Sequence, residues 1–279
     1  MDASVVSAPA ETLAAIRIFG PNLDFGAISR ELGVEPSESH RRGERGPTSR
    51  AYPEDMWCLD SPYARKEPLE AHLKWLREVL LPHYDLVRSL ARRYELSSYC
   101  GISVDGDSCR FELSPGALMI FAELAMDMNL SLVFTGYSES EMPSARSTDL
   151  GRSAASFEVA GSGLEGILST LGFQPAQGGS PGSQLVSGDR RPGDVWSLVA
   201  PLPGSEPLDA HVRWLAEALL PRSDLLLSLK GSAELLVRCK FVTGSDTGGL
   251  GISPHALGVC TGLETPLEFT TFLVHGMPT

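Results

Sequence analysis

The chain has no surplus of positive charge, no long apolar run and no paired cysteines, and each lack closes off a class of function. Across 279 residues, 35 acidic side chains stand against 23 basic ones, a formal charge of −12. Phosphate contacts need Lys and Arg, so nucleic acid and anionic membrane surfaces are not expected as partners, and another protein, neutral or basic, is. No stretch approaches the ~18 apolar residues of a membrane helix. The opening "MDASVVSAPAETLAAIRIFG" has neither a positive leader nor an apolar core followed by a small-residue cleavage site. The expectation is a cytoplasmic protein with no membrane attachment. Five cysteines (Cys58, Cys100, Cys109, Cys239, Cys260) are an odd number, widely spread and without C-x-x-C, so neither a zinc site nor a disulfide framework is signalled and buried free thiols are expected. G-x-S-x-G, H-E-x-x-H and a glycine-rich loop ending in Gly-Lys-Ser or Gly-Lys-Thr are all missing. The chain therefore reads as non-enzymatic, with no catalytic residue, no cofactor and no metal ion.

What is present is a repeat. "EPLEAHLKWLREVLLP" (67–82) returns as "EPLDAHVRWLAEALLP" (206–221), with His72 and Trp75 restated as His211 and Trp214. The same offset of 139 runs without a gap from "WCL" over "WSL" (57, 196) to "LSPGAL" over "ISPHAL" (113, 252), and "ISRELGVEP" (28–36) lies over "ILSTLGFQP" (167–175) after a two-residue shortening that follows Gly20 and Gly161. Such a period means duplicated domains, not a solenoid. The expected division is a first copy at 10–136, a linker at 137–152 rich in Ser and charge, and a diverged second copy at 153–276. The two would pack as an intramolecular pseudo-dimer within a monomeric chain.

Within the first copy, "TLAAIRIFG" reads as a strand, "DFGAISRELG" as a helix stopped by Gly33, and "DMWCLDS" as a second strand after a long polar segment. In the repeated segment Leu69, Leu73, Leu76 and Leu80 fall within about 60° on a helical wheel. Their burial is worth roughly 6–12 kcal/mol before entropy is subtracted. Another helical stretch, "DLVRSLARRY", follows Pro82. "SSYCGISV" and "CRFEL" read as a hairpin about "DGDS". Ser114 caps a helix that begins at Pro115, and "LSLVF" closes the domain. The fold class is α+β: two tandem related domains, each a mostly antiparallel sheet with helices packed on one face.

With those elements placed, "IRIFGPNLDFGAISRELGVEPSESHRRGE", the Trp of "DMWCLDS", "LEAHLKWLREVL" and "FELSPGALMIFAEL" together resemble the bacterial family known as domain of unknown function 4279. The likeness covers nearly all of the first copy. The second keeps the Trp, the long helix and "ISPHAL", but has "QGGSPGSQLVSGDRR" where the first has "ESHRRGERGPTSR". The resemblance implies no catalytic residue; small acidic families of this kind often look like immunity or accessory proteins of bacterial toxin systems.

Two sets of residues are candidates for binding. "HRRGER" with its neighbour (His40, Arg41, Arg42, Arg45, Arg50) concentrates positive charge on an acidic chain, and arginine forks suit a carboxylate or phosphate; the competing reading is a solvated loop. His72, Trp75, His211 and Trp214 are the repeat-paired set, which read as packed residues of an amphipathic helix or as the centre of a small-ligand sensor or unrecognised hydrolase. The acidic turns at 105–108 and 244–247 supply too few oxygens for calcium.

Overall fold

A computed structural model describes residues 7–46, 49–135, 151–161, 177–179 and 194–274. In the first half, β1 (Glu11–Gly20) turns Ala14, Ile16 and Ile18 inward. Helix α1 (Phe25–Leu32) opens on Asp24, whose carboxylate accepts from the Ala27 amide, and ends at Gly33 in the left-handed region (φ 69°). The polar segment that follows is not featureless: it contains β2 (Glu38–His40), paired with β3 (Asp55–Asp60). Helix α2 (Leu69–Leu80) buries its four-leucine stripe, and a 3₁₀ turn at Leu81–His83, with Pro82 in it, redirects the chain into α3 (Tyr84–Ala91). Then come β4 (Glu95–Asp105), β5 (Ser108–Leu113), α4 (Pro115–Leu124) and β6 (Met128–Thr135).

The second half runs through β7 (Arg152–Gly161), β8 (Gln177–Gly179), β9 (Asp194–Val199), α5 (Leu208–Leu219), α6 (Ser223–Ser228), β10 (Ala233–Thr243), β11 (Thr247–Ile252), α7 (Pro254–Gly262) and β12 (Leu267–Leu273). The residues expected to form the linker lie, apart from 151 and 152, outside the described residues, as does the aligned segment 167–175.

The class is α+β, with two mostly antiparallel six-stranded sheets. The strand orders are β11-β6-β4-β1-β3-β2 and β5-β12-β10-β7-β9-β8; among these neighbours β4 with β6 and β10 with β12 run parallel and the rest antiparallel. These orders correct the hairpin expectation. β4 and β5 do not pair, because β4 already has β1 on one side and β6 on the other. The chain turns at Gly106 (φ 105°) and Asp107, and β5 leaves to pair antiparallel with β12, Phe111 opposite Phe269. β11 makes the reciprocal move and pairs with β6. Each sheet is thus finished by a strand from the other half.

The helices lie against the sheets and against one another, α2 on β1, α5 on β7, and α2, α4, α7 and α5 packed in series. The main apolar core spans both halves, drawing on Leu76, Leu118 and Phe121 from the first and Leu215, Leu257 and Phe269 from the second, with a smaller separate cluster of Ala15, Met56 and Cys58 in the first half.

A polar tie recurs in both halves. The cap serine of α4, Ser114, accepts from the Ala117 amide and donates to Glu70 in the first turn of α2; Ser253 does the same for Ala256 and donates to Asp209 of α5 at 2.7 Å. Lys74 and Arg213, one turn along, pair with those same acids. The repeated first-turn acid therefore fastens one helix to the start of the next. Ser253→Ala is expected to lower stability by about 1–2 kcal/mol, since it removes a cap and one partner of Asp209, and urea denaturation measures this directly.

Candidate functional site

The repeat-paired histidines point inward. His72 is 0% exposed: its Nδ1 lies 2.9 Å from Ser61 Oγ, Tyr63 meets the ring edge-on at 6.0 Å, and Nε2 has no partner. Burial holds its pKa below the ordinary 6.5, against the opposing pull of the Glu67 carbonyl and carboxylate, so the ring is neutral near pH 7. His211 is 1% exposed and neither ring nitrogen has a partner among the described residues. The difference is one residue: at the offset of 139, Ser61 becomes Ala200. Trp75 and Trp214 are partly buried against the core. Ser61 is the side chain hydrogen-bonded to His72, and among the described residues no carboxylate side chain hydrogen-bonds to either histidine; the arrangement supplies packing and one internal hydrogen bond.

The arginine-rich stretch is a built hairpin. Beyond β2 the chain is held by Gly43 N to Tyr52 O, Tyr52 N to Glu44 O, Gly46 N to Arg50 O and a bridge between Arg45 and Ala51. His40 stacks on Tyr52 with ring centroids 3.5 Å apart. Asp55 anchors the base. Its carboxylate accepts from the amides of Leu23 (3.0 Å) and Arg42 (2.8 Å) and from the Arg41 guanidinium (3.1 Å). Arg41 also donates to the Leu23 carbonyl and lies 3.7 Å over the Phe25 ring. The five candidates therefore divide: His40 and Arg41 are structural, while Arg42, Arg45 and Arg50 are exposed and form no ion pair among the described residues. Asp55, which composition did not single out, organises them; its recurrence as Asp194 at the repeat offset was the available signal.

The bond from the Arg42 amide, then those from Leu23 and Arg41, hold Asp55 below the ordinary 3.8 despite burial. A carboxylate depressed on folding stabilises above its ordinary pKa, and that contribution is lost as pH falls through the folded value. The Leu23 and Arg42 amides should stay protected from hydrogen exchange through pH 4 and lose protection at lower pH. In Asp55→Asn they should exchange faster at pH 7; equal protection in the variant would contradict the anchor role.

All five cysteines are buried and free. Burial raises Cys58 and Cys100 to about 12 and Cys109 to about 11, and pushes Cys239 and Cys260 up as well, so these thiols are protonated and unreactive near pH 7. Among the described residues no three His, Cys, Asp or Glu side chains gather as metal ligands, and no helix is long and apolar enough to cross a membrane. The acidic turns mark the points where β5 and β11 cross between sheets: Asp107 O accepts from Leu273 N, and Asp246 O from Phe134 N.

A family model described as Domain of unknown function (DUF4279) matches residues 10–135, the span from β1 to β6. No curated protein matches the chain.

Proposed function

We propose that this is a cytoplasmic, non-enzymatic protein-binding module, a tandem duplication of the bacterial domain matched at residues 10–135, whose most specific form is an immunity-type inhibitor or accessory protein of a toxin system. The observation that carries the reading is asymmetry on a shared frame. Strand exchange joins the halves into one body, while their sequences differ where the first half has the anchored hairpin: three of its arginines form no ion pair among the described residues, and the residues aligned with it in the second half are mostly Gly, Ser and Gln. A fixed frame spares a binding surface the entropy of ordering on association. The charge of −12 suits a basic partner, whose encounter it would accelerate.

The sensor or hydrolase reading places chemistry on His72 and Trp75; a ring wholly enclosed and tied to Ser61 favours the binding reading instead. The test is affinity capture by the tagged full chain from lysate of its own organism, with bound proteins identified by mass spectrometry and the wash repeated at high salt. One stoichiometric, salt-sensitive protein is expected. A bait that retains no protein but carries a small molecule would overturn the proposal.

A further inference from the structure

The two strands exchanged between the halves end their sheets differently. Both are edge strands, β5 on the second sheet and β11 on the first, and the offset of 139 places Ser108, Arg110 and Glu112 over Thr247, Gly249 and Gly251. In an antiparallel ladder, residues whose backbone groups face the partner strand alternate with those that face away. Asp107 O accepts from Leu273 N, so Ser108, Arg110 and Glu112 turn their backbone groups outward. Asp246 O accepts from Phe134 N, which leaves Thr247, Gly249 and Gly251 facing outward in the same way.

The β5 edge is partly closed. Ser7 O accepts from the Arg110 amide at 2.8 Å, and Ser7 Oγ donates to the Ser108 carbonyl at 2.9 Å. Arg110 and Glu112 also bring charged side chains to that edge, and charge on an edge strand discourages a further strand. The β11 edge has neither protection. Gly249 and Gly251 are exposed, and no described residue hydrogen-bonds to their outward groups. Thr247–Ile252 carries no charged side chain.

Resting on the protein-binding reading above, we infer that β11 takes a further strand from the protein partner, an extended segment bearing lysine or arginine that pairs along Thr247–Ile252. A row of backbone N–H and C=O groups without partners fits one kind of protein occupant, another strand. The charge around it selects which strand. β4, β6 and β11, the three strands at this edge, contain no Lys or Arg, while Asp105, Asp127 and Asp246 at or beside their ends are exposed. A second copy of the chain would bring the same three acids to the edge, and its own −12. A basic segment is attracted where that copy is repelled. Glycine in place of Arg110 and Glu112 leaves room for the segment's side chains on the outward sheet face.

The test titrates a fluorescein-labelled peptide of alternating lysine and valine with the full chain at about 0.15 M salt, read by anisotropy. Beside it runs the same peptide with every backbone amide N-methylated, which keeps the charge and cannot donate as a strand. Gly249→Pro removes an outward N–H and sets a ring in the path of an added strand, while the bonds to β6 stay. Gly249→Arg with Gly251→Glu writes the β5 charges into β11 without changing net charge. A Cβ has no neighbour nearer than 4.0 Å at 249 or 3.4 Å at 251, so side chains fit there. Saturable binding that N-methylation, Gly249→Pro and the double variant each weaken at least ~10-fold is the expected result. Hydrogen exchange at the Gly249 and Gly251 amides should slow on saturation. If Gly249→Pro fails to fold by circular dichroism, the double variant and the methylated peptide decide. No saturable binding, equal binding of the methylated peptide, or a folded Gly249→Pro chain within about 2-fold of wild type overturns the inference. So does a wild-type dimer in sedimentation that Gly249→Pro makes monomeric, since a second copy then holds the edge. Capture of the same lysate protein by wild type and Gly249→Pro alike would sink the edge and leave the binding module standing, whereas capture of none by wild type sinks the module itself.

Discussion

Phe269→Ala should lower the stability of the whole chain by about 3–5 kcal/mol, the range for emptying a large aromatic site in a packed core. Phe269 sits on β12, is 1% exposed, and stacks at 4.9 Å on Phe111 of β5, which comes from the other half. A second-half substitution therefore removes the support of a first-half strand. In two separate domains the damage would stay local, and the first half would melt at its own temperature. With the main core shared and strands exchanged, variants retaining only Trp57 or only Trp196 should unfold in coincident transitions, both displaced equally by Phe269→Ala. Two resolved transitions, with only that of Trp196 displaced, would refute the single-body description.

The next largest effect is a difference in sign between equivalent positions. His211→Leu should stabilise the protein by about 1–3 kcal/mol, because it replaces a buried ring with two unpartnered nitrogens by an apolar side chain of similar size. His72→Leu should destabilise it by a similar amount, since Ser61 Oγ loses its buried partner. Paired chemical denaturation curves of the two variants are the measurement; equal shifts would mean that Ser61 does not separate the halves. His72 adds a pH dependence. Its folded pKa lies below 6.5, so under that value the unfolded chain takes up a proton that the folded ring resists. The stability from keeping the ring neutral is complete above pH 6.5 and is lost as pH falls below it. His72→Leu should flatten that part of the profile.

These pairs show how far the sequence could be read. Strands, helices and caps followed from local signals: alternation in 11–20, the leucine stripe of α2, Gly33 as a stop, and Ser114 before Pro115. The offset of 139 correctly matched Glu70 with Asp209 and Ser114 with Ser253, which perform the same tie. Pairing of β5 was not legible, because "DGDS" between alternating runs is a hairpin signal whichever neighbour the second strand joins. What decides it is that β6 occupies the side of β4 that a hairpin would use, a long-range fact absent from any local window. The arginine cluster was visible as charge. Its split into the packed side chains of His40 and Arg41 and the exposed side chains of Arg42, Arg45 and Arg50 depends on Asp55, distant in sequence but adjacent in the fold. The burial of His72 was likewise ambiguous on the wheel, where it falls at the edge of the apolar arc; Ser61 and Tyr63, from the segment after β3, close over that edge.

The exchange of β5 and β11 is the centre of this account, and nuclear Overhauser contacts across the backbone test it most directly. Contacts should connect Cys109, Phe111 and Leu113 with Thr271, Phe269 and Leu267, and Gly249 with Ser131. Contacts of residues 108–113 with 100–105 in their place would mean that the first half closes its own hairpin, and that the two halves are separate domains.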